Sequence, residues 1–355
     1  MTRLMACGWE TGHKDEIPNS FTTDAPVVTL SVLSSNVRNG TRALQLVSTS
    51  GSYSARYVWS IDVAKTEIWT RLGFKVEKVA GSNSTQVKFL AFYDSAGAEA
   101  LHLRYDHNTG IISAVRGSTV VATSSGAFSV QAAPGVWHLV EARYKPSNAS
   151  GVLELYLDGT QVINFAGDAT NGLEDVLALG LCLEEGSGIG SSGDAHVFDD
   201  WVVNDTAGAV NNGRPNNGAV LLLSPTGAGS STQLTRGGTD SGANWSQVEE
   251  VPPSDADYVQ SSTIAQRDLY ALANMPGPAS VVHSVSVIAR AREEISGIGQ
   301  IGLTRKSGAT ITEAPAVPLE STYRFYNALL ETNPETSLAY TVTSIDAMEA
   351  GVTVR

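Results

Sequence analysis

Asp194, His196, Asp199 and Asp200 form the densest group of hard metal ligands in this 355-residue chain. Carboxylate and backbone oxygens on the rim of a β-sandwich can hold Ca²⁺. These four residues run into a strand, however, where successive side chains point to opposite faces. The spacing therefore predicts a polar strand start on a solvated edge, with no metal and no cofactor. Retaining glycoside hydrolysis needs two carboxylates about 5 Å apart, which on one strand means acidic residues alternating on one face. Glu174-Asp175 and Glu184-Glu185 are adjacent in sequence, so the members of each pair point apart, and the expectation is that the chain is not an enzyme. Gly188-x-Gly190-x-x-Gly193 and Gly297-x-Gly299-x-x-Gly302 have the dinucleotide-loop spacing. Both lie between β-type segments rather than before a helix N-terminus, and they read as loops. Candidates for recognition are aromatic. Trp69 stands on the polar parity of its segment beside Arg71 and Lys75, and Tyr57 and Trp59 share a parity. Such side chains can stack a sugar ring or bury themselves in a neighbouring subunit; packing inside the chain's own fold is the alternative.

The segments that carry these residues have period two. Leu72, Phe74 and Val76 alternate with Arg71, Lys75 and Glu77; Leu101, Leu103 and Tyr105 alternate with His102, Arg104 and Asp106; Leu153, Leu155 and Leu157 alternate with Glu154, Tyr156 and Asp158. One face of each is buried and the other wet. Val87 to Tyr93 is apolar on both parities, which suits a central strand. Asn108-Thr109-Gly110, Arg116-Gly117-Ser118 and Asp158-Gly159 supply turns between the runs. Residues 206–218 are Asn- and Gly-rich with little to bury and read as a linker between a first domain, 1–205, and a second, 219–355. In the second, Val281, Val285 and Val287, then Tyr323 to Leu330 and Gly351 to Arg355, read as strands, and Thr263 to Ala273 as one helix with Ile264, Leu269 and Leu272 on a side. The fold class is all-β: two antiparallel, jelly-roll-like β-sandwiches with at most one short helix.

The formal net charge is −13, from 23 basic and 36 acidic residues. A surface of that sign repels phosphate backbones and anionic lipid, so neither nucleic acid nor a membrane is an expected partner. Two cysteines, Cys7 and Cys182, make no disulfide framework. Met1 to Glu10 lacks the apolar run of a signal peptide, so synthesis is expected in a cytoplasm without secretion.

Trp137-His138-Leu139-Val140-Glu141, followed by Gly151-Val152-Leu153-Glu154-Leu155-Tyr156-Leu157-Asp158-Gly159, resembles a strand pair of concanavalin-A-like (laminin-G-like) domains. His196 to Val203 is similar to their closing strand, and Gly8-Trp9-Glu10 to their first. The Glu-x-Asp-x-x-Glu of the glucanases in that superfamily is absent. In the second half, Leu221 to Gly227, Asn244-Trp245, Val248-Glu249-Glu250, Asp257-Tyr258-Val259, Arg267-Asp268-Leu269-Tyr270 and Asp346 to Val352 resemble a domain of tailed-bacteriophage structural proteins. The resemblance implies a virion location and a non-enzymatic structural role, in capsid decoration or tail. The implied partners are other virion proteins and further copies of the chain, a trimer by analogy. The alternative is a carbohydrate-binding adhesin, such as a tail-fibre or receptor-binding module, that recognises host glycans.

Overall fold

The computed structural model describes residues 3–24, 28–49, 54–77, 86–128, 135–185, 193–239, 241–277, 281–295, 297 and 299–355. The chain divides into two compact units, Met1–Glu10 with Asn19–Val220, and Thr11–Pro18 with Leu221–Arg355.

Strands of the first unit are β1 (Arg3–Cys7), β2 (Ser20–Asp24), β3 (Val28–Leu33), β4 (Ala43–Ser48), β5 (Ser54–Lys65), β6 (Ile68–Glu77), β7 (Gln86–Tyr93) and β8 (Glu99–Asp106). They continue as β9 (Ile111–Arg116), β10 (Thr119–Ala127), β11 (Trp137–Lys145), β12 (Gly151–Leu157), β13 (Thr160–Gly167), β14 (Val176–Glu185) and β15 (Ala195–Asp205). Among the described residues these form two antiparallel sheets. One runs β13-β12-β11-β6-β15-β4-β3, with β1 also on β15; the other runs β10-β9-β8-β7-β14-β5-β2. This is the expected all-β sandwich.

The period-two runs place the core. Leu153, Leu155 and Leu157 pair with Tyr144, Ala142 and Val140 of β11, and Val140 pairs with Leu72 of β6. All of them face the second sheet and are buried. Phe74 is the hub: its ring centroid lies 4.9 Å from Phe89, 5.0 Å from Phe128, 5.0 Å from His196 and 5.3 Å from Phe198. Central β7 is apolar on both sides because its outward Ala91 and Tyr93 join Val58, Ala178 and Cys182 in a second buried cluster. The β12–β13 hairpin turns at Asp158 (φ 50°) and Gly159 (φ 84°), the left-handed conformations that an Asp-Gly pair tolerates.

In the second unit, strands at Pro225–Thr232, Arg267–Leu272, Glu349–Val354, Gln300–Ser307 and Thr310–Glu313 lie side by side in that order. Two-stranded ladders join Thr235–Gly238 to Asp257–Gln260 and Val285–Ala291 to Arg324–Leu330. Val287, Ile301 and Leu303 form one buried cluster, and Tyr340, Ile345 and Met348 another.

The helix expected over Thr263 to Ala273 is instead the strand Arg267–Leu272, hydrogen-bonded to Pro225–Thr232 on one side and Glu349–Val354 on the other. Leu269 is buried while Ile264 stays 71% exposed, so the helical spacing of these residues never meets a core. Pairing on both flanks outweighs local propensity. A helix does form at Val342–Asp346, where Thr341 and Ser344 make a reciprocal capping box.

Candidate functional site

Period two leaves a second set of side chains on the outer face of the β6–β11–β12 region. The register sets Arg71 beside Glu141 and Glu141 beside Tyr156, so these three form a row across the sheet. Trp69, Arg143 and Glu154 form the next row, and Lys75 stands beside Trp137. Arg143 is ion-paired to both Glu67 (2.6 Å) and Glu154 (2.7 Å).

The stretch 206–218, read from composition as an interdomain linker, folds back over this face. Asn204 Nδ2 donates to the Gly213 carbonyl (3.0 Å), Arg71 Nη1 to the Asn216 carbonyl (2.9 Å), and Arg3 Nη2 to Asn211 Oδ1 (3.3 Å). Arg214 is ion-paired to Glu141, with its guanidinium 3.7 Å from the centroid of the Tyr156 ring. The composition misleads here because the surface being covered is polar. Buried Arg71 needs carbonyl oxygens, and an Asn/Gly segment supplies them without an apolar side chain.

A second loop closes on the same face from β3–β4. Arg38 Nη1 donates to Asp200 Oδ2 (2.7 Å) and to the Gly218 carbonyl (3.2 Å), and Nη2 donates to Asn217 Oδ1 (2.6 Å). Gly73 makes room for it, since a Cβ there would fall 2.5 Å from Arg38 Cδ. Asp200 and Trp201 form a bulge of β15 between the pairings of Asp199 to Gly73 and Val202 to Arg71, with Asp200 at φ 51°. Asp199 accepts from the amides of Arg38 (2.8 Å) and Asn39 (3.1 Å). Burial, then the adjacent Asp200 carboxylate, raise the Asp199 carboxyl above the usual carboxylate range. Burial likewise lowers the Arg71 guanidinium.

Between these loops and the sheet lies a cleft of about 440 Å³, lined by Arg38, Trp137, Leu139, Glu141, Asp158, Gly159, Arg214, Asn216 and Asn217. Glu141 is 1% exposed. Its Oε2 accepts from Arg214 Nη2, while Oε1 and the Arg214 Nε are buried without a hydrogen-bond partner. At the rim, His138 Nδ1 lies 2.7 Å from Asp158 Oδ2. The cleft thus joins an acceptor carboxylate, guanidinium and amide donors, and a half-buried indole.

Of the aromatic candidates, Tyr57 and Trp59 are in the interior. They stand 6.5 Å and 6.3 Å from Trp201, whose Nε1 donates to Thr70 Oγ1 (3.0 Å). Neither can stack a ligand. Trp69 is on the outer face as its parity requires, but it is 8% exposed and lies 6.2 Å from Tyr156. Among the described residues, no group of three or more His, Cys, Asp or Glu side chains is arranged to hold a metal. His196 faces the core, with Nδ1 donating to the Cys182 carbonyl (2.6 Å) and Nε2 2.8 Å from the Tyr105 hydroxyl. Glu174 instead ties a turn at Ser147 and Asn148, and Asp175 binds Ser95. Glu184 is paired to Arg56 and Lys88. Gly188 and Gly190 lie outside the described residues. Gly297 and Gly299 donate their amides to Glu293 in a turn ahead of a strand. Among the described residues, no helix is long and apolar enough to cross a membrane.

Burial holds the His196 imidazole down at about 3, from an ordinary 6.5, against its hydrogen bond to the Cys182 carbonyl. The unfolded chain takes up this proton first. The neutral ring therefore contributes its full stability above about pH 6.5, and that contribution is lost as pH falls towards 3. The stability gap between the native chain and His196→Phe should narrow by roughly 2–3 kcal/mol between pH 7 and pH 4 in urea titrations. A gap independent of pH would show that the ring is not a buried neutral base.

No family model matches the sequence, and no curated protein does. Solved structures do match. An alginate lyase, Aly36B, covers 53% of this chain and 98% of its own, at 12% identity and a TM-score of 0.38. A carbohydrate esterase from Shiga toxin-encoding bacteriophage phi24B covers 57% and 98%, at 14% identity and 0.38. A protein with a galectin-like fold from Bacillus subtilis covers 57% and 98%, at 11% and 0.39. These are likenesses of the sandwich fold, and the named activities belong to those proteins. They nevertheless correct two expectations. A non-enzymatic structural role and the exclusion of catalysis do not hold for a sandwich whose similar structures include polysaccharide- and carbohydrate-processing proteins.

Proposed function

We propose that the first unit recognises glycans in the cleft over β6 and β11, as the receptor-binding module of a phage particle. The observation that carries this reading is Glu141, a buried carboxylate on the cleft floor with one oxygen held by Arg214 and the other unsatisfied. A buried acceptor without a partner is costly, and a sugar hydroxyl would satisfy it. The Trp137 indole lines the cleft and offers an apolar face to a carbohydrate ring, and Asn216 and Asn217 line it as well. The phage context is supported by the resemblance of the second half to virion proteins. Further copies of the chain as partners remain part of the proposal.

Glycan-array screening followed by calorimetry tests it. The native chain should bind a defined glycan, and Trp137→Ala should weaken that binding about tenfold or more. Glu141→Gln should weaken it similarly while the chain stays folded. Native-like binding by both variants would move the site elsewhere, and no binding across the array would end the proposal.

A catalytic reading has one observation in its favour: two carboxylates, Glu141 and Asp158, line the same cleft, with His138 beside the second. Mass spectrometry of the bound glycan after prolonged incubation distinguishes it. Cleavage that disappears in Glu141→Gln would make the chain an enzyme.

A further inference from the structure

The glycan reading leads to a closed subsite beside the open cleft, and the following inference rests on that reading. The Arg214 guanidinium lies 3.7 Å from the centroid of the Tyr156 ring and donates to Glu141. Tyr156 is itself 6.2 Å from Trp69, at an interplanar angle of 38°. Two aromatic rings beside a carboxylate acceptor are what a pyranose needs, with its C–H face on the rings and its hydroxyls on the acid. We propose that Arg214 stands in for a saccharide unit, and that residues 207–216 are a lid over a second sugar subsite formed by Tyr156, Trp69 and Glu141.

The side chain that fills the place satisfies it incompletely. Glu141 Oε1 and Arg214 Nε are both buried without partners, so a bound ring with hydroxyls on both edges can offer what the guanidinium does not. The lid's own bonds to the sheet are polar. It grips the sheet through Asn204, Arg71 and Arg3, and Val210 points out, 42% exposed. Its turns at Gly208, Asn211 and Asn216 lie at φ 94°, 50° and 54°. Gly and Asn adopt such angles with least strain, which suits a segment that changes path. A subsite closed by part of its own chain binds with an apparent affinity reduced by the fraction of time it is open.

The test is Arg214→Ala in the full chain, with two readouts. Hydrogen exchange over 207–216 should quicken about tenfold, because the ion pair and ring contact that latch the lid are gone. Calorimetric affinity for the glycan that the native chain selects should rise about three- to tenfold, because the closed state no longer competes. The double variant Arg214→Ala/Tyr156→Ala should lose that gain. Weaker binding by Arg214→Ala would mean that Arg214 itself contacts the ligand, and unchanged exchange would mean that it latches nothing; either overturns the lid. A native chain that binds while Arg214→Ala binds no more tightly removes the closed subsite and leaves the open cleft standing. A native chain that binds no glycan removes both.

Discussion

Phe74→Ala should be among the most damaging single changes in the first unit, costing about 3–5 kcal/mol in urea unfolding followed by tryptophan fluorescence. The ring is fully buried, and four aromatic neighbours lie within 5.3 Å of its centroid. They come from β7 (Phe89), from the stretch after β10 (Phe128), and from β15 (His196 and Phe198), so truncation opens a cavity that no single strand can relax to fill. Leu155→Ala, on the flank of the same core, should cost about 2–5 kcal/mol. A loss under about 1 kcal/mol at Phe74 would mean that the two sheets do not meet there.

Asp200→Ala should be comparably severe, about 3–5 kcal/mol, for an electrostatic reason. The carboxylate is fully buried and accepts from Arg38 Nη1 (2.7 Å), Asn39 Nδ2 (2.6 Å) and the Val220 amide (2.7 Å). Without it, a guanidinium whose side chain is 14% exposed is left opposite no carboxylate. The loop carrying Arg38 and Asn39 then keeps its backbone bonds to Asp199 and loses the side-chain anchor that holds it against the cleft. Glycan binding should fall with stability in this variant, whereas Phe74→Ala, at temperatures where it stays folded, should bind normally. Thermal unfolding and calorimetry on the same preparations check both halves. A fully stable Asp200→Ala would show that the Arg38 contact is a surface ion pair of little weight.

The sandwich was legible because period two is a local signal. Leu72, Phe74 and Val76, and Leu153, Leu155 and Leu157, announce a buried face wherever they occur, and Asp158-Gly159 announces a hairpin. Parity tells which residues share a face, but not what covers that face. Tyr57 and Trp59 were paired correctly by parity and lie inward, against Trp201, about 140 residues away along the chain. Trp69 was placed correctly on the outer face, yet it is covered. Of the cleft, the alternation Trp137, Leu139, Glu141 was available in sequence. Its partner Arg214 lies 73 positions further on, in a stretch whose composition reads as spacer. No periodicity connects them.

The chain passes between its two units at 10/11, 18/19 and 220/221, because Thr11–Pro18 belongs with the C-terminal part. A gene fragment that begins at Leu221 would encode the second unit without that N-terminal piece. A single recombination event cannot, for the same reason, hand either unit over whole to another protein. Shuffling at one boundary, which can exchange receptor specificities among proteins built as beads on a string, is closed to this architecture.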